Sequence, residues 1–170
     1  MDTGPGSSAG RSGERTASPA RLDAEVFPDE RVSAYVSRQF QPVRIHIDEQ
    51  PALFERFGVH FTPRLVMMDS GGVERHRIEG YLPADDLLAQ FHLGTAHAAF
   101  ARGLWGEAER GYRELAQAFS DTEAAPEALY WSAASAYKLT GNVAVFPVAA
   151  SKLRHGYPQS IWTRKASVWL

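Results

Sequence analysis

The stretch from Val59 to Asp69 restricts the fold of this chain more than any other. Thr62-Pro63 leads into the β-prone apolar run Arg64-Leu-Val-Met-Met68, and Asp69-Ser-Gly71-Gly72 follows it. Proline has no N–H to give a ladder, so it belongs at the start of a strand rather than within one. Two glycines after an aspartate supply the backbone freedom of a tight turn. Val73 to Ile78 then forms a second β-prone run ending in Gly80-Tyr81. The sequence therefore predicts strands over 65–68 and 73–78 joined by a turn at Gly71-Gly72.

The flanking segments divide the chain into three parts. Residues 1–21 contain no Val, Ile, Leu or Phe. Such a segment buries too little to offset its ordering entropy, and a disordered tail is expected. Leu22 to Phe27 has a short helical pattern. Pro28-Asp29-Glu30 opens another at the first helical position, with Val32, Tyr35, Val36 and Phe40 on one face. Pro42 to Asp48 alternates, with Val43, Ile45 and Ile47 opposite Arg44 and His46, which predicts a strand over 43–47. Gln50-Pro51 starts a helix bearing Leu53, Phe54 and Phe57, and Gly58 stops it. A further helix begins near Leu82-Pro83, with Asp85 and Asp86 placed to favour its dipole. From Leu87 the chain reads as helix, with breaks near Gly103, Ser120-Asp121, Gly141-Asn142 and Gly156 to Pro158. A shift toward alanine sets the expected division: tail 1–21, α/β domain 22–91, helical region 92–170.

Composition removes several function classes. A net charge of −2 gives no electrostatic pull toward nucleic acid or an anionic membrane. The longest apolar run, Val143 to Ala150, is eight residues with Pro147 inside it, against roughly 18 for a membrane span. The first residues have neither the basic start nor the apolar stretch of a signal peptide, so the expected location is cytoplasmic. The chain contains no cysteine, which excludes disulfides, thiolate metal sites and cysteine nucleophiles within it. No cofactor is implied. The histidines at 46, 60, 76, 92, 97 and 155 read as scattered surface residues, with His46 and His76 at outward positions of their strands and no metal set among them.

Residues 22–90 resemble the thioredoxin-like family. Leu22-Asp-Ala-Glu-Val-Phe27 matches the segment that follows that family's Cys-x-x-Cys motif, and the register places Thr16 and Pro19 where the two cysteines would stand. The pattern continues through Val43 to Asp48, Phe57-Gly58-Val59, Thr62-Pro63, Asp69-x-Gly71 and Gly80-Tyr81-Leu-Pro83. The resemblance implies that the Thr62-Pro63 bond is cis and that the loop offers a backbone edge for an extended peptide. The alternative is that Pro63 only shapes the start of its strand. The family also carries a buried central strand before the cysteines, between the strands matching 43–47 and 65–68. Residues 1–15 hold no such run. With that slot empty, another chain supplies the strand, or the pieces shift, or the domain is unstable alone. The simplest expectation is a truncated or mis-started version of a longer thioredoxin-like protein, and the unpaired sheet edges would allow an oligomer.

Residues 93–170 resemble tetratricopeptide repeats, through Gly103-Leu-Trp-Gly-Glu-Ala108 with Tyr112 and Leu115, and then through Tyr130, Ala133, Ala134, Tyr137 and Gly141-Asn142. The fold expectation is thus an incomplete thioredoxin-like α/β module followed by an all-α repeat region. The leading functional expectation is a non-catalytic interaction protein. In it the repeats hold a protein or peptide partner, and Thr62 and Pro63 dock a peptide. The rival is a thioredoxin-family thiol-disulfide oxidoreductase whose Cys-x-x-Cys lies outside this chain, and a remnant without present function is the third. Thr16 and Ser18 carry only hydroxyls and cannot exchange disulfides.

Overall fold

The computed structural model describes residues 20–46, 48–60 and 62–170. Thr16, Ser18, Pro19 and the expected tail up to residue 19 lie outside them. The chain divides into two compact units, one holding residues up to Arg64 together with Glu79–Leu82, the other Leu65–Ile78 with Pro83–Leu170.

The first unit opens with a wide helical turn, Leu22–Val26, closed by the Phe27 N–H on the Leu22 carbonyl at 2.9 Å. Helix α1, Glu30–Gln39, follows. Its cap is Asp29, whose carboxylate accepts the Arg31 N–H at 2.8 Å, so Pro28 precedes the cap rather than occupying the first helical position. Leu22, Val26, Val32 and Tyr35 are buried. Helix α2, Pro51–Arg56, starts on its proline and ends where Gly58 takes a φ of +58°, as the sequence predicts.

The strand expected over 43–47 is not formed among the described residues; Ile47 lies outside them. Residues 41–46 are irregular, and Val43 is 78% exposed. Alternation marks a segment that could be a strand, but only a neighbouring backbone makes it one. Among the described residues none pairs with this segment.

In the second unit, β1 (Arg64–Met68) and β2 (Glu74–Glu79) form a two-stranded sheet whose outermost residues, Arg64 and Glu79, belong to the first unit. Asp69 builds the turn. Its Oδ1 accepts the N–H groups of Gly71 and Val73 at 2.9 and 3.0 Å, its own N–H reaches the Val73 carbonyl, and Gly72 has a φ of +75°.

Five helices follow: α3 (Ala84–Ala101), α4 (Trp105–Ala118), α5 (Ala124–Thr140), α6 (Val145–Gly156) and α7 (Ile161–Ala166). The expected domain boundary at 91 and 92 falls inside α3, which is continuous. Gly103 and Gly141 end α3 and α5 in the left-handed region, at φ +76° and +71°. On α4, Ala108, Tyr112, Leu115 and Ala116 recur at helical spacing and are buried against Ala89, Leu93 and Ala96 of α3 and Ala124 and Ala128 of α5. Small residues set the α3–α4 approach: a Cβ on Gly111 would lie 3.3 Å from that of Ala96. Ala150, Leu153 and Ala166 make a second cluster with Tyr130, Trp162 and Trp169 around it. The architecture is a partial α/β module and a helical region.

Candidate functional site

The Thr62-Pro63 bond is cis. The Pro63 carbonyl accepts the Gly80 N–H at 2.9 Å, which fixes the start of β1 against the end of β2. Pro63 is half-buried and Thr62 exposed; among the described residues no hydrogen bond engages Thr62. Arg64, next in sequence, is drawn inward. Its side chain is 5% exposed, it donates to the carbonyls of Phe57 (3.2 Å) and Gly58, and it pairs with Glu79. A cation at the carbonyls just past α2 complements the negative end of that helix, and it ties the loop to the helix stop. Among the described residues the buried Arg64 Nε has no hydrogen-bond partner.

Beside Gly80, Tyr81 donates its hydroxyl to Glu25 at 2.8 Å, Arg21 lies over the ring at 4.1 Å, and Arg21 pairs with Glu25 at 2.9 Å. The hydrogen bond from Arg21, then that from Tyr81, holds the Glu25 carboxyl below its usual range, and the same bond raises the Tyr81 phenol. Arg44 closes on Asp23 in the same unit. These groups are exposed, so their pairing orients the segment more than it stabilises it.

A second constellation occupies the other unit, and sequence reasoning missed it. His76 Nε2 lies 2.7 Å from Gln90 Oε1, and its ring is 5.7 Å from that of His97. His97 Nδ1 meets the Tyr112 hydroxyl at 2.6 Å, and its Nε2 lies 3.3 Å from Glu127 Oε1. Burial holds the Tyr112 phenol far above its ordinary range, so it stays protonated and is able to donate to Nδ1. His76 and His97 are therefore not scattered surface residues. A signal existed: His76 shares the parity of Ile78, which is 4% exposed, so it faces inward with it. His92, also expected on the surface, is half-buried with its ring 5.5 Å from Phe119, and burial lowers its pKa.

Next to these groups runs a string of half-buried aromatic rings. Trp131 meets His97, Phe100 and Tyr130 edge-on at 5.8, 5.1 and 5.7 Å, and Trp162 at 6.3 Å. Tyr130 stacks on Trp169 at 4.4 Å, and the Lys165 ammonium lies 3.8 Å from the Trp162 centroid. Among the described residues no group of three or more His, Asp or Glu is placed to hold a metal ion, and no helix is long and apolar enough to cross a membrane.

Residues 18–94 match the family model of a thioredoxin-like domain. The matched segment takes in the turn at Leu22–Val26, the Thr62-Pro63 loop, the hairpin and the first half of α3. The helices beyond it match no tetratricopeptide model. No curated protein and no solved structure matches the chain.

Proposed function

We propose that this chain is a non-catalytic protein-interaction module. The helical region acts as a tetratricopeptide-like array that holds a peptide of its partner, and the thioredoxin-like domain contributes a docking edge at Thr62 and Pro63. The observation that carries the reading is the aromatic string Trp131, Tyr130, Trp162 and Trp169, half-buried across α5, α7 and the chain's last turn. Partly accessible aromatic side chains provide large contact area at small entropic cost, and aromatic residues dominate binding energy at protein interfaces. The exposed Thr62 supports strand addition as a second contact. Lack of any cysteine supports the non-redox assignment.

Selection of a displayed random-peptide library on the full chain tests this. Enriched peptides should bind with reproducible affinity, and Trp162→Ala should weaken them by about tenfold or more. A library that yields nothing above background, or binders indifferent to Trp162, sinks the proposal.

The match over residues 18–94 favours a second reading, a thioredoxin-family oxidoreductase whose cysteines are supplied from outside these residues. Insulin reduction separates the two. Reduction by a natural form extended before Met1 supports the second, whereas reduction by no form leaves the first.

A further inference from the structure

The hairpin meets α3 within the second unit at a close crossing. Gly94 is the point of approach: a Cβ there would lie 2.5 Å from the Met67 thioether and 2.8 Å from the His76 Cβ. His76 is thus held against α3 both by packing and by its bond to Gln90. An amide oxygen can only accept, so Nε2 of His76 carries the proton and the neutral ring satisfies the contact. The groups facing that ring are Gln90 and His97 from α3, Glu127 from α5, and Glu74 of its own strand; Tyr112 of α4 reaches it through His97. Glu74 is engaged by Arg77 at 2.6 Å, and Glu127 stands at His97. A proton added to His76 would place a charge beside a second imidazole, with both nearby carboxylates already occupied.

We propose that His76, seated beside His97, forms an acid-sensitive latch, in which its neutral ring keeps the hairpin on α3 and proton uptake by His76 releases it. Burial lowers the His76 pKa below the ordinary imidazole value, His97 adds to the lowering, and Gln90 and the two carboxylates oppose it. The released hairpin, its imidazole in water, takes up a proton more readily than the seated one. The latch is therefore intact above the ordinary histidine value and weakens as pH falls below it, until the seated form itself protonates.

Amide hydrogen exchange of the full chain near about pH 7.5 and about pH 5, with ring titration by NMR, tests the latch. Protection factors over residues 65–78 should fall about tenfold at the lower pH while those of α4 and α5 hold within about twofold. His76→Gln, which keeps a donor for Gln90 and never charges, should abolish the fall, and the His76 ring should titrate below the ordinary value. Equal protection at both pH values, a fall that persists in His76→Gln, a loss spread evenly over the helices, or ordinary titration of His76 would each overturn it. Should the variant not fold, local exchange and ring titration of the unaltered chain decide.

Discussion

Gly94 shows how one absent side chain positions an element. Its backbone lies so near Met67 and His76 that a methyl group would meet the Met67 thioether at 2.5 Å and the His76 Cβ at 2.8 Å. The thioether is the end of a flexible chain and can move. The His76 Cβ is anchored to β2 and cannot move without shifting the strand. Gly94→Ala gains up to about 1 kcal/mol of helix propensity but incurs overpacking of about 1–3 kcal/mol. We expect a net loss of about 1 kcal/mol or more in urea unfolding, with the near-ultraviolet signal of the helical aromatics retained at native conditions. A variant as stable as the parent would mean that the hairpin does not rest on α3. Gly111→Ala is the milder comparison, because its Cβ would meet Ala96 at 3.3 Å, a contact that a shift of a few tenths of an ångström relieves.

Among the elements, the hairpin depends on Asp69. The carboxylate accepts two turn N–H groups and is met by Arg75, whose Nε donates to Oδ2 at 2.8 Å. The hydrogen bond from Val73, followed by that from Arg75, holds its pKa below the usual carboxylate value. A depressed carboxyl contributes stability above the unfolded value and loses it as pH falls through the folded one. Asp69→Ala should therefore lower the melting temperature near neutral pH, and the gap between parent and variant should close only beneath the ordinary carboxylate range. A gap that is unchanged at low pH would locate the effect elsewhere. This hairpin, the α2 stop at Gly58 and the helix ends at Gly103 and Gly141 were legible in the sequence because a turn or cap is decided within a few residues. The strand over 43–47 was not, since alternation cannot reveal whether a second backbone is alongside. The His76, His97, Tyr112 and Glu127 group was hidden for the same reason: its members come from four elements and no short spacing joins them. Thr62 and Pro63 were visible as a motif.

For the molecule as a whole, the two units differ in how their backbones are held. The second has a core in which Leu93, Tyr112, Leu115 and Ala128 are wholly inaccessible, and full burial of each large apolar side chain contributes roughly 1.5–3 kcal/mol. Among its described residues the first has four buried apolar side chains and a stretch, residues 42–46, whose main chain makes no hydrogen bond to another described residue apart from those the His46 carbonyl accepts from Glu49 and Gln50. Opening free energy follows buried contacts and paired amides, so protection should be graded rather than uniform. Amides in the middle of α3, α4 and α5 should exchange slowest, those of α1 faster, and those of 42–46 within about tenfold of an unstructured peptide. The concentration dependence of this gradient carries the further information. Main chain that pairs with no described residue, with Val43 78% exposed, leaves its N–H and C=O groups open to a second backbone. Protection at 42–46 that rises with protein concentration would show that copies of the chain pair there. Protection approaching that of α4 even at the lowest concentration would mean that the segment is held in the monomer by contacts absent from the described structure, and the graded picture would fail.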